Sequence, residues 1–165
     1  VKQLSRRELL IRGTGLGMGL VGVMLSVPAV GFLLSPLFTK QQTSWVRVGT
    51  IDNVPVNQPT ALLADVPVGT GYPTPPVKRV VYVVKKPGGE VKALSNICTH
   101  MQCDVHWSPT LNNFLCPCHG GLYDIDGRNV GGPPPQPLAQ WIHRLSKDPQ
   151  GRTVLEIENK LDESI

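Results

Sequence analysis

The chain has 165 residues and a formal charge of +4 at pH 7, which leaves room for one modest domain plus an extension. That charge sits in the first 40 residues, where Lys2, Arg6, Arg7, Arg12 and Lys40 face only Glu8. The rest is neutral overall, so the basic balance reports the N-terminus and gives no footprint for nucleic acid.

Residues 1–12 read as a basic cytoplasmic N-terminus. Gly13 to Thr39 carries no charged side chain. As a helix this stretch reaches about 40 Å, more than the roughly 30 Å hydrocarbon core of a bilayer. Residues 13–38 are therefore predicted as a single transmembrane anchor, with Pro28 as a tolerable kink. The positive flank places the N-terminus in the cytoplasm and the rest of the chain outside a bacterial cytoplasmic membrane, on the periplasmic side. Ser5-Arg6-Arg7-Glu8-Leu9-Leu10 resembles a twin-arginine export signal. Val27-Pro28-Ala29 is a poor cleavage site, so the segment is expected to stay as an anchor. The glycines from Gly13 to Gly19 follow no strand and do not make a nucleotide loop. Their spacing permits close contact between helices.

Residues 39–44 are short and polar and read as a hinge linker. Trp45 to Gly49 alternates as a strand does. Asp65 to Pro76 is rich in Pro and Gly and reads as loop. Lys78 to Lys85 and Val91 to Leu94, joined through Pro87-Gly88-Gly89, read as a hairpin. Arg152 to Ile157 gives a late strand. With no long helix after residue 40, the head at 45–165 is predicted to be all-β, with a small subdomain inserted at about 95–138.

That insertion holds Cys98-Thr99-His100-Met101-Gln102-Cys103 and Cys116-Pro117-Cys118-His119-Gly120-Gly121, which contain all four cysteines and two of the four histidines. Thiolates with neutral imidazoles suit zinc or an iron–sulfur cluster. Zinc sites with two Cys and two His usually space the cysteines together and the histidines together. Here each box offers a Cys and a His. That alternation fits a two-iron cluster in which one iron takes two cysteines and the other two histidines. C-x-x-C-H is absent, which argues against covalent haem. His106, on a loop edge, and His143, in a strand after Trp141, read as surface histidines without metal.

These boxes resemble those of Rieske iron–sulfur proteins of the cytochrome bc/bf type: C-T-H-x-x-C, about fifteen residues, then C-P-C-H-G. The resemblance implies a Rieske-type β-sandwich head and a [2Fe–2S] cluster bound by Cys98 and Cys116 on one iron and by His100 and His119 on the other. It implies a disulfide between Cys103 and Cys118, which Rieske ferredoxins and dioxygenase domains generally lack. Gly132-Pro133-Pro134-Pro135 is similar to the family's proline loop, which covers the cluster, and Met101 fills the apolar tip facing cytochrome b. Tyr123 matches a tyrosine whose hydroxyl reaches the sulfur of Cys98. Gly121 stands where members of high potential carry a serine donor, which implies a lower potential suited to menaquinol. Gln102 stands where many members have glycine, a costly exchange if the backbone there is left-handed.

By this resemblance the chain is the redox subunit of a menaquinol–cytochrome c oxidoreductase, working in a dimeric complex beside cytochrome b. His119 would meet the quinol, and the head would pass its electron to a c-type cytochrome. Export after folding would suit a cluster made in reducing cytosol and a disulfide made outside. Two other readings are open: an electron-relay subunit of a molybdenum enzyme such as arsenite oxidase, and a zinc-stabilised exported binding module.

Overall fold

The computed structural model describes residues 5–38, 43–67 and 75–162. The chain divides into two compact units, Val1–Gln41 and Gln42–Ile165. The first holds one helix, α1, Arg6–Phe38, of 33 residues. It starts ahead of the predicted anchor because Ser5 and Glu8 form a capping box. The Ser5 amide and hydroxyl donate to Glu8 Oε2 at 3.0 and 3.1 Å, and the Glu8 amide donates to Ser5 Oγ at 3.2 Å. The helix runs on through Pro28. Its span Arg6–Ser35, with a mean hydropathy of 2.0, is long and apolar enough to cross a membrane. Most of the proposed hinge, residues 39–42, lies outside the described residues.

The second unit is all β: β1 Trp45–Thr50, β2 Thr60–Val66, β3 Val77–Lys85, β4 Val91–Ser95, β5 His106–Ser108, β6 Asn113–Cys116, β7 Gly121–Tyr123, β8 Asn129–Gly131, β9 Gln140–Lys147 and β10 Thr153–Asp162. Six strands form an antiparallel sheet in the order β1-β10-β9-β4-β3-β2, and β5-β6-β7-β8 form a second sheet. The large sheet curls until its two edges meet. A Cβ built on Gly49 of β1 would lie 3.7 Å from Leu62 Cδ1 of β2. Inside the curl pack Ile51, Ala64, Val81, Val83, Ala93, Trp141, Leu155 and Ile157.

Successive residues of a strand face opposite sides. On β3 and β4 the other face carries Tyr82, Val84 and Leu94. These pack against Cys98, Val105, Phe114, Cys116, Tyr123 and Leu138 of the inserted subdomain. The Val81–Val84 part of β3 is thus buried on both faces, which is why it reads as an unbroken Val/Tyr run. This second core is the platform on which the cysteine–histidine boxes stand.

Three local expectations need correction. Asp65 and Val66 belong to β2, since Ala64 and Val66 turn inward at alternate positions. Residues 68–74 of that predicted loop lie outside the described residues. His106 lies in β5, paired with Leu115, not on a loop edge. Strand β10 continues past Ile157 to Asp162 after a register shift between Ile157 and Leu161.

Candidate metal centre

Both boxes lie on tight loops, one after β4 and one between β6 and β7. Each opens with the same turn. The Gln102 amide donates to the Cys98 carbonyl at 3.0 Å, and the Gly120 amide donates to the Cys116 carbonyl at 3.1 Å. Each turn closes on a left-handed residue, Gln102 with φ 59° and Gly120 with φ 71°. The two loops are therefore backbone equivalents although their sequences differ. Position 102 is thus left-handed, the condition under which glutamine is a costly exchange for glycine there.

The platform fixes the first loop from below. Tyr82 Oη donates to the Val105 carbonyl at 3.2 Å, and Asn96 Nδ2 donates to Asp104 Oδ1 at 2.8 Å. Cys103 and Cys118 form a disulfide that ties one loop to the other. The proline loop closes a third side. Thr99 Oγ1 donates to the Gln136 carbonyl at 2.7 Å, and Asn129 Nδ2 donates to the Pro134 carbonyl at 3.0 Å. Pro134 is buried while Pro133, Pro135 and Gly132 are exposed.

Cys98 and Cys116 are buried, at 1% and 2% exposure, whereas His100 and His119 face solvent. The imidazole rings stand edge to face with centroids 4.9 Å apart. Met101 is exposed beside them. The site thus has a sulfur floor and a nitrogen rim. Tyr123, fully buried, places its hydroxyl 3.2 Å from Cys98 Sγ, and the Thr99 amide donates to that oxygen at 3.1 Å.

Burial pushes the Cys98 thiol up, but hydrogen bonds from the Tyr123 hydroxyl and the His100 backbone outweigh it and bring the group below its ordinary value. Cys116 is pushed up by burial and by its hydrogen bond to Cys98. Tyr123 is also raised, by burial and then by Cys98. The neighbouring thiols are thus shifted in opposite directions, Cys98 down and Cys116 up.

The donor chemistry fits a two-iron cluster with mixed ligation. Two soft sulfurs lie inside and two imidazoles outside. A tighter group, Cys103, Cys116 and Cys118, has its sulfur atoms within 4.8 Å of one another. Two of those three are joined in the disulfide, so the trio cannot supply three thiolates. Sequence reasoning missed Thr99, Asn129 and Gln136 as braces. Thr99 lay in plain view inside the first box, but nothing local marked Gln136, whose carbonyl it bonds, or Asn129, which bonds the Pro134 carbonyl.

A disulfide-tied pair of Cys/His loops on a small β platform defines a cluster-binding redox module. Residues 44–142 match the family model for the Rieske [2Fe-2S] domain, and the chain belongs to that family. It is 34% identical over 137 residues to the menaquinol:cytochrome c reductase iron-sulfur subunit of Bacillus subtilis, an alignment spanning 80% of each chain. It is 33% identical over 138 residues to the same subunit of Geobacillus thermodenitrificans, spanning 81% of this chain and 80% of that one. The cytochrome b6-f complex iron-sulfur subunit of Chlorobaculum tepidum is 40% identical over 94 residues. That alignment covers 57% of this chain and about half of the relative, at 50%.

Proposed function

We propose that the head holds a Rieske [2Fe–2S] cluster through Cys98, Cys116, His100 and His119. We further propose that the chain is the iron–sulfur subunit of a cytochrome bc-type complex that oxidises menaquinol. The observation that carries this is the split site: buried sulfurs, solvent-facing imidazoles. When bound, the cluster supplies a one-electron acceptor whose potential is raised by its neutral nitrogen ligands.

The residues divide the remaining work. His119, at the exposed rim, would present its outer ring nitrogen to the hydroxyl of a quinol and would take the proton there only in the form that has first lost its own N–H, and His100 is the second exposed ring. Met101 and the proline loop, Gly132 to Pro135, exclude water around the rim and give cytochrome b an apolar surface. Tyr123 holds charge on the Cys98 sulfur. Gly121 brings no hydroxyl, which keeps the potential low and suited to menaquinol. A c-type cytochrome is the electron acceptor. The apolar helix anchors the chain in the cytoplasmic membrane with the head on the outer side, and Arg6-Arg7 serve export. The relatives named for menaquinol:cytochrome c reductase support this reading over the molybdenum-enzyme one.

Low-temperature EPR with redox titration on the purified membrane complex tests it. The expected result is a paramagnetic iron pair with two coordinated nitrogens, perturbed by a quinol-site inhibitor, at a potential below that of serine-bearing relatives. A diamagnetic reduced sample, zinc in place of iron, or indifference to quinol-site ligands overturns it.

A further inference from the structure

The proline loop touches the second cysteine–histidine loop at two glycines. A Cβ on Gly132, whose φ is +81°, would lie 2.6 Å from the Gly120 carbonyl oxygen and 2.8 Å from Gly121 Cα. A Cβ on Gly121 would lie 2.6 Å from Pro134 Cγ and 3.1 Å from its Cδ. Side-chain atoms do not pack that closely, so the two stretches meet only because both positions are bare. The contacts differ in kind. At Gly132 the obstacle is backbone and the conformation is left-handed, so no other residue fits. At Gly121 the obstacle is one ring. That ring is buried and held in place through its carbonyl by Asn129.

We propose that Gly121 and Pro134 are a matched pair that seats the proline loop. The pyrrolidine ring fills the volume that a side chain at 121 would take, so residue size at 121 sets how closely the loop lies on the β6–β7 turn. Both are positioning residues, and neither has to touch quinol. The pairing stands on packing and does not depend on the ligand assignment. It gives position 121 a steric role beside any hydrogen-bonding one. A hydroxyl introduced there acts as a donor without displacing the loop only when the residue at 134 is smaller.

A double-mutant cycle on the full chain in its membrane complex tests this, with G121A, G121S, P134A and both doubles. Thermal unfolding and the visible absorbance of the cluster are the first readouts. G121A should lower Tm by about 5–10 °C, as overpacking of a tight site does, and should speed loss of the absorbance. P134A alone should lower Tm through the cavity it leaves, and G121A/P134A should lose clearly less than the sum of the two single losses. If G121A fails to accumulate, recovery of folded protein in G121A/P134A supports the pairing. The midpoint potential separates seating from bulk stability, because G121S should shift it by a different amount in the wild-type background than in the P134A background. A wild-type Tm for G121A, losses that simply add, a double variant that stays unfolded while P134A folds, or equal potential shifts in both backgrounds would each overturn the proposal.

Discussion

Gln102 shows how a single position can be costly and retained. A left-handed backbone costs an L-residue about 1–2 kcal/mol relative to glycine, and Gly120 holds the equivalent place in the sister turn without that cost. Part of the gain from glycine is offset by entropy in the unfolded chain. Q102G is therefore expected to stabilise the head by no more than about 1 kcal/mol, read by chemical denaturation. Tyr123 acts in the other direction. Y123F removes the hydroxyl 3.2 Å from Cys98 Sγ and leaves the packing ring. The expected outcome is a potential lower by tens of millivolts, on the order expected when a cluster ligand loses one hydrogen-bond donor, with the fold intact by far-UV circular dichroism. At this scale the sequence was most informative. Cysteine and histidine spacing located the floor and rim of the site, and position 102 could be suspected in advance. The Gly121–Pro134 contact could not be, because it joins two separate loops through a shape that only the folded chain defines.

At the scale of elements, the inserted subdomain is fastened to the large sheet by charge as well as by core. Asp126, in the turn between β7 and β8, meets Lys86 Nζ at 2.7 Å and Lys92 Nζ at 2.9 Å. Hydrogen bonds from Lys86 and Lys92 hold its carboxyl at about 2, below the ordinary 3.8. A depressed folded-state value means that the stabilisation is fully present above the ordinary value and is lost as pH falls from about 4 to about 2. Because the group keeps some solvent contact, the clamp contributes nearer to 1 kcal/mol than the full shift implies. D126N should cost about that much at pH 7, and the stability curves of variant and wild type should converge near pH 2 in acid denaturation. The sequence offered no pointer to this clamp, since an Asp in a D-x-D-G turn looks like any turn residue. Strand β3 was plain because burial on both faces makes a continuous apolar run. Strand β2 was missed because its inward residues are separated by exposed Leu63 and by Asp65.

For the whole molecule, the separation into an apolar helix and a neutral β unit was legible from charge alone. The all-β class followed from the lack of any later helical pattern. What the sequence could not give was the curl of the large sheet, which sets β1 against β2 although every other strand of that sheet lies between them in its hydrogen-bonded order. The one covalent tie in the described head, Cys103–Cys118, closes a 15-residue separation and is worth about 3 kcal/mol by loop closure. C103S/C118S should therefore lower Tm and speed release of iron, read by the decay of visible absorbance during heating.

The crowding of three sulfurs has a consequence for biogenesis. Cys116 lies within 4.8 Å of both bridged sulfurs. Burial disfavours its thiolate, but the fraction that ionises in a metal-free head would attack the bridge, forming one S–S bond, breaking another and releasing a cysteine as thiolate with no net oxidation. On the proposed ligand assignment, loading iron on Cys116 before oxidation is expected to protect the native bridge. Chelator-stripped protein, blocked with iodoacetamide and mapped by peptide mass spectrometry, should show scrambled Cys103–Cys116 or Cys116–Cys118 links. Protein loaded before oxidation should show the native bridge alone.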